Sequence, residues 1–388
     1  MDKKHSFYGH KQDDLYYIGK YILTALFAIA FCLVFFRIEV VAAASSKNIP
    51  ISSSNKVVVI RTSYATGEFD ESWGGVMMAV PNKDSDVYEL YDVVIWSDRI
   101  SLYKFPGNIN DAFDEYYEKN VRGKAEFSPD MYAKSWREFR ETCCLDYVMV
   151  KTSEDNPKRN SSRRLAAYKS FFNIIKARTN SKHIVIKYSG HGMGTMFCGN
   201  LNDKDTVKIL KYGTRLFGNK FSVIDYGTNC QSGITSVLNM YKDYTDYMIV
   251  SQLDVGGFTF DDDEDCKKFY QVDTDAVYDK MFVSGETAKN IALRMANQHA
   301  IEWQYAANNL KKDNNPQSVT VVDMEAYKKL LKIAGKYYKP GQDLYKCIKK
   351  AGKKSVLKKY NKAIIFYDND KKQIGKWKKF YGNGITCG

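Results

Sequence analysis

Proline is scarce in this chain, with seven among 388 residues, and neither a low-complexity tract nor an internal repeat breaks it up. That argues against long linkers. No cysteine pair stands at CxxC spacing and no histidine–cysteine cluster has a zinc pattern, which argues against a structural zinc site. Long hydrophobic runs are also missing. The longest, Ile22 to Phe36, is uncharged, but as a helix it extends about 22 Å, short of the ~30 Å hydrocarbon core of a bilayer. Arg37 and Glu39 close it off. Although the chain is basic, no base-reading motif accompanies the charge, so nucleic acid is not the expected partner.

What is present fits a packed globule. Hydrophobic residues make up 44% of the chain and aromatic ones 14%, and 388 residues are enough for one large domain or two ordinary ones. Lys3, Lys4, Lys11 and Lys20 precede the Ile22–Phe36 run, and Val41-Ala42-Ala43-Ala44-Ser45 follows it as a small-residue cleavage site. Residues 1–44 therefore read as an export segment, either a cleaved signal peptide or an uncleaved anchor. Both place the remainder outside the cytoplasm.

The net charge of +13 is concentrated in the tail, where residues 326–388 hold 18 lysines against Asp343, Asp368 and Asp370. Residues 336–388 thus form a lysine-rich C-terminal extension. Its stretch from Tyr345 to Tyr360 is patterned like one amphipathic helix, suited to an anionic cell surface or membrane, or simply to a solvated face. Apart from Cys32 in the export segment and Cys230, six cysteines remain, enough for three bridges in an oxidising compartment. Their pairing is not legible in the sequence.

Between these ends, strand-like and helix-like runs alternate. Val57–Arg61, Tyr147–Val150, Ile184–Tyr188, Phe221–Ile224, Tyr247–Val250 and Ser318–Val322 are compact apolar runs. Pro157–Arg164 reads as a basic loop; Leu165, Tyr168, Phe172 and Ile175 then recur at helical spacing, and Ala288–Leu310 reads as a long helix. Asp323 is placed to cap the helix that begins at Met324. Alternation of this kind predicts a mainly parallel sheet with helices on both faces. Residues 66–140 are less regular and read as an insertion in a domain spanning 45–335.

Two of the apolar runs end in reactive side chains beside glycine. His183-Ile-Val-Ile-Lys-Tyr-Ser-Gly leads to His191-Gly192, and Phe221-Ser-Val-Ile-Asp-Tyr-Gly-Thr-Asn leads to Cys230-Gln-Ser-Gly233. Ligands of open α/β sheets bind at the carboxyl ends of the strands, where a thiol and an imidazole on neighbouring strands can meet over one substrate. A helix starting just after Cys230 would favour its thiolate. His191 would carry a proton to the leaving amine, and the backbone N–H groups of Cys230 and Gly192 are natural oxyanion donors.

An apolar block ending in His-Gly, followed by one leading to Cys, resembles the caspase–legumain–gingipain clan of cysteine peptidases. The text from Cys230 to Ser251, a Cys-x-x-Gly helix, an acidic-aromatic turn and a strand ending in Ser, is similar to its clostripain-like family. Val255–Phe260, the helix after Ser284-Gly285, and Ser318–Asp323 follow in the family's order, so that the likeness covers residues 184–335. It implies a caspase-like α/β/α sandwich and a peptidase acting on proteins or peptides, with Cys230 as nucleophile and His191 as general acid/base. The alternative is an inactive relative kept as a surface binding or adhesion module.

Family members cut after arginine or lysine, using an acid two places before the cysteine at the floor of the specificity pocket. Thr228 stands there, and the nearest upstream acid, Asp225, is three residues further back. Asp254, beyond the strand ending at Ser251, is the candidate replacement, against the plainer reading of a loop-capping aspartate. The chemistry requires no cofactor. Some relatives need calcium, for which the run Asp261–Asp265 is the candidate, although it lacks the ligand alternation of an EF-hand.

Overall fold

The computed structural model describes residues 57–64, 88–95, 99–104, 109–122, 129–149, 157–178, 181–189, 201–227, 229–253, 286–309, 318–369 and 384–388. The export segment, residues 1–44, lies outside them. Among the described residues no helix is long and apolar enough to cross a membrane.

Among the described residues nine strands form one sheet. In chain order they are β1 (Val57–Tyr64), β2 (Tyr88–Ile95), β3 (Arg99–Lys104), β4 (Cys144–Met149), β5 (His183–Ser189), β6 (Phe221–Tyr226), β7 (Thr245–Val250), β8 (Ser318–Asp323) and β9 (Ile364–Asn369). Their spatial order is β4-β3-β2-β1-β5-β6-β7-β8-β9. The five central strands, β2, β1, β5, β6 and β7, are mutually parallel, and antiparallel pairs flank them at both edges. The sheet is therefore mainly parallel, as the alternation of strand and helix predicted. Every residue of β6 is buried, as a strand covered on both faces requires.

The helices are α1 (Ile109–Asn120), α2 (Pro129–Thr142), α3 (Pro157–Arg178), α4 (Asp203–Phe217), α5 (Thr235–Tyr241), α6 (Ala288–Asn309), α7 (Met324–Ala334), α8 (Leu344–Lys350) and α9 (Lys354–Ala363). Side chains alternate across each strand, and this divides the core in two. Ile184, Ile186 and Tyr188 of β5, Ile224 and Tyr226 of β6, and Met248 and Val250 of β7 join one cluster with α3, α4, α5 and α7 to α9. Val185, Val223, Ile249 and Val321 point the other way, toward the face covered by Ile291, Ala292, Met295 and Ala296 of α6. Gly213 of α4 allows the first layer to close: a Cβ there would stand 2.6 Å from Phe221 Cζ.

On the α6 side the register sets Lys187 of β5 beside Asp225 of β6. Charged residues in a sheet centre need partners, and the Lys187 ammonium helps to keep the Asp225 carboxyl ionised.

Several sequence expectations change. The basic run Pro157–Arg164 is not a loop but the opening of α3. Proline is suited to a first helical position, where its missing N–H costs nothing, and lysine and arginine are good helix formers. The Tyr345–Tyr360 stretch is two helices, divided at Gly352, whose φ of 67° turns the chain. Residues 66–140 contribute β2, β3, α1 and most of α2, while the lysine-rich end of the chain supplies β9, paired to β8. Asp323 caps α7 as expected, accepting from the Ala326 N–H at 2.9 Å.

Candidate active site

β5 and β6 are adjacent and parallel, so the chain leaves both at the same edge of the sheet. Beneath that edge stands a column of tyrosines. Tyr188 meets Tyr226 edge-to-face at 5.7 Å, Tyr226 meets Tyr241 of α5 at 5.6 Å, and their hydroxyls lie 3.1 Å apart. Such pairs are directional as well as apolar, and they tie both strand ends to the helix that follows Cys230.

After Tyr226 the backbone turns sharply. The Gly227 N–H donates to Asp225 Oδ1 at 2.8 Å and the Asn229 N–H to the Tyr226 carbonyl at 2.9 Å. Cys230 follows, part-exposed and outside any disulfide. Gln231 has φ 48°, the one positive value at a non-glycine among the described residues. Backbone in this region costs of order 1–3 kcal/mol and persists where the surroundings over-determine it. Here they do. The Gln231 N–H donates to the Leu253 carbonyl at 2.9 Å, Ser232 Oγ to the Tyr226 carbonyl at 2.9 Å, and the Ser251 N–H to Ser232 Oγ at 2.8 Å. The Gly233 N–H donates to the Ser251 carbonyl at 2.6 Å. Glycine is needed there, because a Cβ would come within 3.0 Å of that same oxygen. The result is a thiol held on a stiff loop docked onto the end of β7.

Helix α5 begins only at Thr235 and is seven residues long. Its dipole acts within the first turn, so the expectation that it favours a thiolate at Cys230 does not hold.

Asp225, proposed from the sequence as a substrate-binding acid, is buried and faces inward. Its Oδ2 lies 2.9 Å from Nε2 of His299 on α6, with both side chains almost wholly inaccessible. Burial alone would raise the Asp225 carboxyl. The charge and hydrogen bond of His299, the Lys187 ammonium and the Gly227 N–H together outweigh it and hold the group below the usual carboxylate range. An ionised carboxylate only accepts hydrogen bonds, so Nε2 carries the proton of this pair. The imidazole also covers the turn, since a Cβ on Gly227 would lie 3.0–3.1 Å from its Cδ2 and Nε2.

His191, Gly192, Thr228 and Asp254 lie outside the described residues, as does the acidic run Asp261–Asp265. Among the described residues no group of three or more histidine, cysteine or carboxylate side chains is arranged to hold a metal ion.

Two residues that the sequence reading passed over organise the site. His299 reads only as a histidine on the apolar face of α6, and its carboxylate partner is 74 positions away. Gln252 is buried beyond β7 and is a hub. Its amide nitrogen donates to Asp343 Oδ2 at 3.0 Å and Thr386 Oγ1 at 3.1 Å, and its Oε1 accepts from the Gly384 N–H at 3.2 Å.

No family model and no curated protein matches the sequence. Solved structures do resemble the fold. An X-ray structure of a secreted C11 cysteine protease from Bacteroides thetaiotaomicron, "iotapain", aligns over 86% of this chain and 93% of its own, with a TM-score of 0.52 and 11% identity. An inactive zymogen C11 protease from Parabacteroides distasonis aligns over 83% and 85%, with a TM-score of 0.48 and 11% identity. A secreted C11 protease from Bacteroides thetaiotaomicron with an irreversible peptide inhibitor aligns over 81% and 85%, at 0.47 and 12%. The fold assignment rests on the first. The chain has the α/β architecture of that C11, clostripain-family, protease.

Proposed function

From the fold shared with a secreted C11 cysteine protease, we propose that this chain is an exported cysteine endopeptidase. In this reading the Cys230 sulfur attacks the scissile carbonyl of a peptide. The developing oxyanion is held by the backbone N–H groups of Cys230 and Gly192. His191 gives a proton to the leaving amine, and the thioester is then hydrolysed by water that His191 deprotonates.

The observation that carries the proposal is the setting of Cys230. A part-exposed thiol stands beyond the carboxyl end of a central parallel strand, on a loop fixed by the hydrogen bonds of Gln231, Ser232 and Gly233 to Leu253, Tyr226 and Ser251. The neighbouring strand runs in the same direction and leads within two residues of its end to His191-Gly192.

Specificity departs from the family's pattern. Asp225 is committed to His299, so a basic side chain at P1 would have to be met by another acid, and Asp254, just beyond the Gln252–Leu253 segment, is our candidate. The peptidase needs no cofactor in this scheme.

The test is hydrolysis of a mixed peptide library by the exported part of the chain under reducing conditions, with and without calcium, alongside Cys230→Ala and His191→Ala. Either substitution should lower kcat by at least about 10³-fold. Absence of cleavage by the unaltered chain would leave the alternative, an inactive surface-binding relative. Cleavage only after uncharged residues would rule out Asp254 as a specificity acid.

A further inference from the structure

Residues 384–388 are threaded through the molecule as a strap between the Cys230 loop and the approach to α8. On one side the Thr386 N–H donates to the Gly233 carbonyl at 2.9 Å and the Thr235 N–H to the Thr386 carbonyl at 3.0 Å. Thr235 Oγ1 also meets both the N–H and the carbonyl of Gly388 at 3.0 Å. On the other side the Leu344 N–H reaches the Ile385 carbonyl at 2.9 Å, while Cys387 N–H and Gln342 carbonyl, and Gly341 N–H and Cys387 carbonyl, pair at 2.8 Å. Gln252 holds Gly384 and Thr386 from below. Ile385 and Cys387 are buried. The loop that carries Cys230 is thus braced from behind by backbone 150 residues later in the chain.

The strap ends at a second thiol. Cys387 and Cys347 of α8 converge on Gln342, whose carbonyl accepts from the Cys387 N–H at 2.8 Å and whose Oε1 accepts from the Cys347 thiol at 3.7 Å. Neither sulfur has a part in the peptidase chemistry. Cys347 opens onto a cleft of about 460 Å³ bordered by Lys336, Tyr337, Lys339, Lys346 and Lys350. Asp343 also borders it, but its carboxylate caps α8 and accepts from Gln252. Among the described residues Lys336, Lys339 and Lys350 have no carboxylate within ion-pair distance, so the cleft is cationic.

We propose that Cys347 and Cys387 form a dithiol site that closes into a disulfide by exchange with a small anionic disulfide of the glutathione type, admitted by the lysine cleft, and that closure fastens the strap behind the Cys230 loop. The Cys347 thiolate, facing the cleft, attacks one sulfur of glutathione disulfide and expels one glutathione thiolate. Cys387 then attacks the Cys347 sulfur of the mixed disulfide and expels the second. Two protein S–H bonds are replaced by one S–S bond. The two electrons go to the oxidant, and the two protons finish on the released glutathione thiols or in solvent. Burial, and after it the adjacent Cys347, pushes the Cys387 thiol up to about 11, so closure is slow at neutral pH and quickens as pH rises, because the thiolate is the reacting form. The bond itself does not depend on the peptidase reading; only its consequence for catalysis does.

The experiment is incubation of the full chain with glutathione disulfide at pH 8, alkylation of remaining thiols, and tryptic mapping without reduction. The expected product is Cys347–Lys349 joined to Phe380–Gly388. Amide hydrogen exchange at Thr235 and Thr386 should slow by about tenfold or more on closure, since opening of the strap is what exposes them. Cys347→Ala and Cys387→Ser should each abolish both effects, and the first leaves no buried hydroxyl behind. Glutathione adducts that never cross-link, or cross-links of Cys347 or Cys387 to other cysteines, overturn the pairing. A cross-link that leaves exchange at Thr235 unchanged overturns the fastening role. Closure with the expected protection in a chain that hydrolyses no peptide upholds the dithiol site and defeats the peptidase reading instead.

Discussion

Nε2 of His299 lies 2.9 Å from Oδ2 of Asp225, and the pair is sealed between the sheet and α6. It clamps the turn that leads to Cys230, because Asp225 Oδ1 accepts from the Gly227 N–H while the imidazole covers Gly227. Removing one partner of such a pair leaves an uncompensated buried group, at a cost of about 3–5 kcal/mol. His299→Ala and Asp225→Ala should each lower unfolding stability by that order in urea titrations. Asp225→Asn, if it folds, should leave P1 preference unchanged; a selective loss of cleavage after arginine or lysine would show Asp225 to be a pocket acid after all.

The same pair predicts a pH dependence. A carboxyl held below its ordinary value near 4 contributes stability that is fully present above that unfolded value and is lost as pH falls through the folded one. Urea midpoints measured from pH 6 down to 3 should therefore fall more steeply at the acid end for the unaltered chain than for Asp225→Asn. His299 of α6 and Lys187 of β5 are the neighbours that lower this carboxyl, and substitution of either should flatten the same limb.

Gly233→Ala tests the docking of the nucleophile loop. The new methyl would stand 3.0 Å from the Ser251 carbonyl oxygen, and the loop has to move to admit it. We expect about 1–3 kcal/mol of destabilisation and a fall in kcat of up to about 10²-fold with KM little altered, as for displacement of a reacting group by an ångström. A variant with unchanged kcat would separate the loop's docking from catalysis.

Gln252→Leu removes a side chain that serves Asp343, Thr386 and Gly384 at once. The strap should loosen, with about 2–3 kcal/mol lost to newly unsatisfied buried groups, and hydrogen exchange at Thr386 should accelerate.

Much of the fold was legible in the sequence. The runs Ile184–Tyr188, Phe221–Ile224, Tyr247–Val250 and Ser318–Val322 became β5 to β8 with ends moved by one or two residues, because buried parallel strands are written as unbroken apolar stretches. The start of α3 is not legible because a charged run reads as loop, although lysine and arginine carry no penalty in a helix. The separation of α8 from α9 is not legible because apolar spacing continues through a glycine whose left-handed backbone is set by the fold. In the site, Cys230 and its glycine are readable, but the four residues that separate Cys230 from α5 are not.

By itself the sequence determined which segments must be buried, where a thiol and a histidine follow strand ends, and that the basic charge gathers in the last sixty residues. Those are properties of local pattern. Tertiary structure alone decided that Asp225 meets His299, that Gln252 joins three distant segments, and that residues 384–388 pass behind the nucleophile loop. Strand register, the alternation of faces and the docking angle of α6 fix such meetings, and each depends on the whole sheet having formed. A carboxylate that reads as a candidate for substrate is thereby turned into the core, and a tail that reads as a separate extension becomes the brace of the site.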